Sequence, residues 1–362
     1  MSHFLKLENK GPIYLILLIG IIISILYAIY NLNTFDKHEA NRHLMLRGDT
    51  SLIWYEAETF KKDLIKNKSF FGNGSEYMRT FLPSKLLAFY SIITGYDLYE
   101  DFENRIIKTN GKFLYLLIQI LFYYFSLLFL YKKLLNFYDD KKISFYIVSF
   151  LALDFNILQW HGTFWTESIF FSLQILFIGM ILKENKSNYF SLFLGLLLGI
   201  MCLQKTVALM FIFFVIFYFY FTEKKNKYKI FNILFGFMIV MSFLAYDNYK
   251  KTGIFYIAPS NYLDVHYAVL VPQIHEENKF QSIIKLKNME QKWKIDNNFS
   301  PENFQSQHNF RKFKQKKAIE TILENKLISI KIYLKNIIHH AVLNPAQTYY
   351  CHKYNQLEFV FV

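Results

Sequence analysis

Cysteine is scarce in this 362-residue chain, and its scarcity excludes two ways of stabilising a fold. Only Cys202 and Cys351 occur, and neither belongs to a Cys-x-x-Cys pair, so we expect neither a disulfide nor a zinc site. Common motifs of soluble enzymes are also missing, among them the glycine-rich dinucleotide loop, the phosphate-binding lysine loop, the His-Glu-x-x-His zinc motif and the Gly-x-Ser-x-Gly turn. Their absence argues against an ATP-driven pump and against a zinc protease.

Acidic residues are in deficit as well, because 28 Asp and Glu stand against 41 Lys and Arg, which gives a net charge of +13. The basic residues lie in connecting segments and tails, and they form no aromatic-interleaved basic face of the kind that binds nucleic acid. We therefore expect no nucleic-acid partner, and we attribute the positive charge to contact with a membrane surface.

Apolar residues are abundant, since 53% of the chain is hydrophobic and 20% is aromatic. They fall in blocks of roughly 16 to 21 residues, close to the ~20 that cross a ~30 Å hydrocarbon layer as a helix. The first block is followed by no small-residue cleavage site, which predicts a retained anchor. The sequence therefore predicts an all-α polytopic membrane protein with about seven transmembrane helices, at residues 12–32, 113–131, 143–160, 164–182, 189–204, 207–222 and 230–246.

A large polar loop, residues 33–112, separates the first two predicted spans. Within it, the helical spacing of apolar residues over 50–65 predicts a helix lying along the membrane surface. The stretch 82–99 is short and interrupted, which predicts a re-entrant or interfacial segment. Later in the chain, the apolar run 189–222 would be about 50 Å long as one helix, too long for one crossing. Lys205 and Thr206 interrupt that run, and we expect a tight helical hairpin there.

A second polar segment follows the last predicted span. It becomes basic and amphipathic from Arg311 to His340, as is typical of an interfacial helix. We therefore divide the chain into a membrane module, residues 1–246, and an external C-terminal segment, residues 247–362. The apolar ending from Phe359 leaves a truncated further helix as an alternative.

Lysines in the short loops predict the orientation, because cytoplasmic connections carry excess Lys and Arg. The loops at 132–142, 183–188 and 223–229 are rich in lysine, whereas the alternating turns hold only Lys205. The N-terminus is therefore expected in the cytoplasm. With seven crossings, the large first loop and the C-terminal segment would both lie on the external, periplasmic side of the inner (plasma) membrane.

Acidic residues that could carry chemistry follow the first span directly: Asp36, Glu39 and Asp49. A carboxylate at a membrane face can act as general base for a hydroxyl, or can hold a divalent cation such as Mg or Mn against a phosphate. Asp49 stands beside Gly48 and ahead of the predicted surface helix, which favours it as the residue held in place. The alternative is a solvated face without chemistry.

Two charged residues near later spans are candidates for substrate binding. Glu167 opens the fourth span close to His161, where it either caps the helix or hydrogen-bonds a sugar or a metal ion. Lys205 is the only charged residue of the 189–222 run, and its ammonium either snorkels to the interface or binds a lipid-linked phosphate. Arg79 and Lys85 flank Pro83 and are candidates for the same phosphate-binding role.

Four short motifs occur in order between about residues 12 and 260: Arg47-Gly48-Asp49 with Trp54-Tyr55-Glu56-Ala57, Phe81-Leu82-Pro83 with Thr94-Gly95, Thr166-Glu167-Ser168 followed by Gly195, Gly199 and Leu203-Gln204-Lys205, and Asp247-Asn248-Tyr249 with Thr252-Gly253. Their order resembles that in the GT-C superfamily of membrane glycosyltransferases, which includes protein mannosyltransferases and aminoarabinose transferases. Two departures stand out: Tyr55 and Ala57 lie further from Asp49 than in the family, and Asp247 stands where relatives carry arginine.

The resemblance implies a polyprenyl-phosphate-linked sugar as donor, and transfer to a glycan, lipid or protein acceptor on the external face. It implies an acidic base in the first external loop, which is Asp49, with Asp36 and Glu39 as rivals because of the shifted spacing. The donor-binding residues implied are Lys205, Glu167, Arg79, Lys85, His161 and Asn248. Whether a metal ion takes part, at Asp49 or Glu167, is left open.

Two other classes of function compete with a transferase. A flippase or transporter of lipid-linked glycans would share the apolar spans and basic phosphate sites, and would place ionisable residues deep within several helices. A non-catalytic membrane scaffold would leave the charged candidates scattered. Convergence of Asp49, Glu167 and Lys205 on one site would favour the transferase.

Overall fold

The structure is a computed structural model, and it describes residues 11–34, 49–67, 81–101, 106–107, 111–138, 140–164, 166–182, 188–222, 227–255, 274, 279–300 and 303–342. The prediction of a helical fold is confirmed, because nearly all of these residues lie in helices. Besides short turns, the described residues include one short antiparallel pair of strands, β1 (Tyr99–Asp101) and β2 (Ile106–Ile107). The chain divides into two compact units, residues 1–247 and 248–362.

The first unit is built from helices of very different length. Its helices are α1 (Gly11–Thr34), α2 (Asp49–Asn67), α3 (Phe81–Thr94), α4 (Lys112–Tyr138), α5 (Lys141–Leu153), α6 (Phe155–His161), α7 (Glu167–Ile181), α8 (Asn188–Gln204), a 3₁₀ turn (Thr206–Ala208), α9 (Leu209–Thr222) and most of α10 (Lys227–Thr252). The predicted interruption at Lys205 and Thr206 is present, since α8 ends one residue before Lys205.

Three of these helices are long and apolar enough to cross a membrane: Gly11–Asn33, Lys112–Tyr138 and Tyr228–Lys250. The pair α5 and α6 meets the same criterion as one broken span, bent by 51°. The other apolar helices, α3, α7, α8 and α9, are shorter than the ~20 residues of a full crossing. The described residues therefore support a membrane protein with three or four full-length spans, and the count of seven stays a prediction.

Asp154 divides the third predicted span, 143–160, into two helices instead of one. Its backbone is extended at φ −66° and ψ 110°, and its carboxylate accepts the backbone N–H of Asn156 at 2.9 Å. An aspartate in this position caps the N-terminus of a new helix and so stops the preceding one. The predicted loop at 132–142 is also shorter than expected, because α4 continues to Tyr138 and includes Lys132 and Lys133.

Helix α4 lies at the centre of the first unit, packed against α1, α5 and α7. Its inward residues Leu116, Ile120, Tyr123 and Leu127 are fully buried. A second apolar cluster joins α7, α8, α9 and α10, with Phe177, Leu194, Met201, Phe219 and Met241 among its buried members.

The predicted surface helix is present as α2, but its apolar face is covered by protein. Trp54, Ala57 and Phe60 are buried, and the Phe60 and Phe89 rings meet edge to face at 5.9 Å where α2 packs on α3. A membrane surface was expected to cover this apolar face. In the structure, α3 and its neighbours cover it.

The described part of the second unit contains three further helices, α11 (Lys279–Asp296), α12 (Phe304–Glu324) and α13 (Lys326–Val342). Aromatic rings hold α11 to α12: Trp293 stacks on Phe313 at 5.5 Å and contacts Phe310 at 5.3 Å. The predicted amphipathic segment 311–340 is helical but is divided at Asn325, which ends α12.

Candidate functional site

The central feature of the candidate site is an ion pair between two helix ends. The Nζ atom of Lys205 lies 2.5 Å from Oε1 of Glu167, 38 positions away in the sequence. Glu167 is the first residue of α7, and Lys205 follows the last residue of α8. The two side chains are 13% and 29% exposed, so the lysine is the more accessible member.

Neighbouring polar groups hold this pair in place. Thr166 donates its hydroxyl to Oε2 of Glu167 at 3.2 Å, and Gln204 donates its side-chain amide to the Thr166 carbonyl at 3.1 Å. Gln204 is fully buried, and its Oε1 atom has no hydrogen-bond partner among the described residues. Thr166, just before α7, and Gln204, the last residue of α8, are thus joined directly beside the ion pair.

Each charge is also placed favourably with respect to its own helix. A carboxylate at a helix N-terminus and an ammonium at a helix C-terminus are both stabilised by the helix dipole. Thr166 is the N-cap residue of α7 and makes no side-chain cap hydrogen bond, so Glu167 is the first residue of the helix. The Glu167 carboxylate also neutralises Lys205.

His161 is the last residue of α6, shortly before Glu167 in the chain, and its side chain faces the interior of the helix bundle. Its ring is 0% exposed, and Nδ1 lies 2.8 Å from the hydroxyl of Ser168. The ring centroid is 4.3 Å from that of Tyr123 on α4, and Nε2 has no partner among the described residues. His161 joins α6 to α7 within the bundle, and its binding of a donor stays a prediction.

Two buried lysines each lie against an aromatic ring of α2. Lys85 places its ammonium 3.2 Å from the centre of the Phe60 ring, and Lys112 lies 5.7 Å from the Trp54 ring. Trp54 in turn meets Phe164, three residues before Glu167, edge to face at 5.1 Å. The candidate Lys85 is thus held against α2, and Lys112 is a lysine that the sequence analysis did not single out. Its position at the first turn of an apolar helix was the available signal.

The remaining predicted residues fall in other places. Asp36, Glu39 and Arg79 lie outside the described residues, as does the side chain of Asp49, which begins α2. Asn248 lies in α10 at the start of the second unit, whereas Glu167 and Lys205 belong to the first. Of the predicted residues, the structure brings together Glu167 and Lys205. His161 contacts Ser168, the residue that follows Glu167. Within the described ranges, no three His, Cys, Asp or Glu side chains gather where they could hold a metal ion.

Comparison with known proteins leaves the site to be interpreted from its own geometry. No family model, no curated protein and no solved structure matches this chain. The likeness to GT-C enzymes therefore rests on the motifs quoted above.

Proposed function

We propose that this protein is an integral membrane glycosyltransferase that moves a sugar from a polyprenyl-phosphate donor to a glycan, lipid or protein acceptor of the cell envelope. In this proposal the reaction takes place on the external face of the inner (plasma) membrane. The observation that carries it is the Glu167–Lys205 pair at the break between two apolar helices. A lysine there is a cation that an amphiphilic phosphate can reach without crossing a polar domain.

The surroundings of Lys205 suit a lipid-linked phosphate. Immediately after the break, α9 exposes Met210, Phe213, Phe214 and Phe217 by 62–71% of their surface. A polyprenyl chain could lie along this apolar face while its phosphate sits at the helix break. Lipid and headgroup would then be recognised by adjacent parts of one segment.

Lys205 has a clear chemical role in such a reaction. The acceptor hydroxyl attacks the anomeric carbon, the bond from that carbon to the phosphate oxygen breaks, and a base takes the hydroxyl proton. Lys205 would leave Glu167, pair with the phosphate and stabilise the negative charge that develops on it as it departs. Glu167, once released, can accept hydrogen bonds from sugar hydroxyls.

The base is assigned to the acidic residues after α1, with Asp49 first and Asp36 and Glu39 as rivals. Only one base and one stabilised phosphate are needed for inversion at the anomeric carbon. Asp49→Asn, Asp36→Asn and Glu39→Gln, assayed in parallel, would identify which residue serves.

The first prediction separates phosphate binding from a purely structural ion pair. Lys205→Met removes a charged hydrogen-bond donor, and we expect donor affinity to fall roughly 10- to 100-fold. Glu167→Gln removes the charge that competes for Lys205 and keeps a side-chain oxygen that can accept from sugar hydroxyls, so donor affinity should be kept or increased. The measurement is binding and transfer by the purified protein with a panel of polyprenyl-phosphate sugars, and Lys205→Arg should restore part of the binding.

Lys132→Met is the matched control, because it removes an exposed lysine of α4. If Glu167→Gln and Lys205→Met weaken binding equally, the pair is structural and the phosphate assignment fails. If no donor of the panel is bound or transferred by the unmodified protein, the proposed function itself is wrong. Donor that crosses the membrane unchanged would indicate a transporter instead.

A further inference from the structure

The second unit exposes a mixed stripe of lysine and aliphatic residues along α12. Lys312, Lys316, Ile319 and Leu323 follow one another at intervals of four, three and four residues, which places them on one face of the helix. All four are exposed, with Leu323 at 58%. Ala318 is fully buried on another face. The helix therefore packs one side and leaves this stripe uncovered.

Helix α13 presents a stripe of the same kind. Leu327, Ile330 and Leu334 share one face and are 84%, 57% and 55% exposed. Lys331 is exposed and lies on the same side of the helix. Two successive helices of one unit thus expose aliphatic residues interspersed with lysine.

Charge in this region is strongly one-sided. Between residues 303 and 357 the only acidic residues are Glu320 and Glu324. Glu320 is already engaged by Lys317 at 2.7 Å, and that hydrogen bond lowers the pKa of its carboxyl group. Burial, followed by the neighbouring charges of Lys312 and Arg311, lowers the pKa of His308, so the positive charge near neutral pH comes from lysine and arginine.

We propose that the face formed by Lys312, Lys316, Ile319 and Leu323, continued by Leu327, Ile330 and Leu334, binds the headgroup layer of an anionic lipid membrane. Aliphatic side chains would enter the interface while the lysines extend to lipid phosphates. Each lysine near an anionic surface adds to the attraction. Protein–protein interfaces are typically depleted in lysine, which argues against a protein partner. Nucleic acid binds chiefly through its phosphates and would leave the exposed leucine and isoleucine side chains without contacts. A lipid membrane is the partner that suits both the lysines and the aliphatic residues of this face.

The position of the unit in the chain favours the same partner. The last full-length candidate span ends at Lys250, and the second unit begins at residue 248. A unit tethered to a membrane needs only modest intrinsic affinity, because the tether raises the effective concentration of the surface. The ring contacts of Trp293 with Phe310 and Phe313 hold α12 on α11, so the stripe on α12 is formed before binding.

The test uses the full chain reconstituted in nanodiscs, with an environment-sensitive fluorophore on Leu323→Cys in a Cys351→Ser background. The same protein without the added cysteine is the control, because any fluorophore that it takes up must be attached to the buried Cys202. In discs that contain phosphatidylglycerol we expect blue-shifted emission and quenching by brominated lipid chains. In pure phosphatidylcholine discs both effects should be much weaker, and added inorganic phosphate should not restore them.

Lys312→Glu with Lys316→Glu should lower the bound fraction in anionic discs about 10-fold or more. The control, Lys287→Glu with Lys292→Glu, makes the same change of charge at exposed positions of α11 and should have a much smaller effect. Equal spectra in both disc types, or equal loss in the control, would overturn the proposal. So would a blue shift that requires two copies per disc, because a second copy would then cover the face. Glycosyl transfer plays no part in this readout, so the proposal is independent of the proposed function.

Discussion

At the scale of single residues, buried polar side chains hold the segment that precedes Glu167. Asn31 donates to the Gly162 carbonyl at 3.1 Å, and Gln119 donates to the Thr163 carbonyl at 3.2 Å. Carbonyl groups in an apolar bundle are costly unless a donor reaches them. These two contacts fix the turn between α6 and α7, and so fix the carboxylate that pairs with Lys205.

The His161–Ser168 contact gives a prediction at this scale. Among the described residues, Ser168 is the one hydrogen-bond partner of the His161 ring, so Ser168→Ala leaves a buried imidazole without that partner. We expect a loss of roughly 1–3 kcal/mol in the free energy of unfolding. Ser172→Ala is the control, because the Ser172 hydroxyl bonds only the Ser168 carbonyl of its own helix. SDS titration of the purified protein in mixed micelles measures both, and equal effects would contradict the proposed role of the contact.

At the scale of helices, glycines set how closely α8 and α10 approach. A Cβ atom on Gly195 would collide with the backbone carbonyl of Ile233, and one on Gly236 would collide with the Leu192 carbonyl. Backbone atoms cannot rotate aside as a side chain can. Small residues that allow such approach are typical of helix packing in membranes. The lysine-bearing end of α8 is therefore positioned by a close helix crossing.

Gly195→Ala should consequently destabilise the protein, by roughly 1–3 kcal/mol, even though alanine favours a helix more than glycine does. Gly11→Ala is the matched control, since none of the described residues places an atom within 4 Å of a Cβ atom at that position. The same SDS titration distinguishes them. A Gly195→Ala protein as stable as the parent would show that α8 and α10 do not need this approach.

At the scale of the whole molecule, the number of crossings decides which parts share a side of the membrane. Three or seven crossings place the N-terminus and the second unit on opposite sides, whereas four place them on the same side. The bent pair α5 and α6 makes this difference, because it counts either as one broken span or as no span. The same pair therefore decides on which side of the membrane Glu167 and Lys205 lie.

Cysteine labelling of intact cells tests the orientation. We expect cysteines near Tyr99 and Asn297 to react with an impermeant reagent from outside, and cysteines near Lys141 and Lys225 to react only after permeabilisation. Labelling of Asn297 and the N-terminus from the same side would support an even number of crossings. Lys225 reacting only from outside would overturn the arrangement, and with it the external placement of the proposed reaction.

The amino-acid sequence by itself determined the class of protein, the position of the apolar helices and the break at Lys205. These follow from runs of apolar residues and from one charged residue within them, which are local properties of the chain. Glu167 and Lys205 were recognised separately for the same reason. Their pairing was not predicted, because 38 positions separate them and only the packing of α7 against α8 brings their ends together.

Tertiary structure alone decided which apolar faces are covered. The stripes of α2 and α12 look alike in the sequence, yet Trp54 and Phe60 are buried while Ile319 and Leu323 are exposed. It also turned His161 toward Tyr123. Periodicity tells which residues share a face, but what lies against that face depends on elements far away in the chain. That is why Glu167 and Lys205 could be singled out from the sequence as candidates but not as a pair.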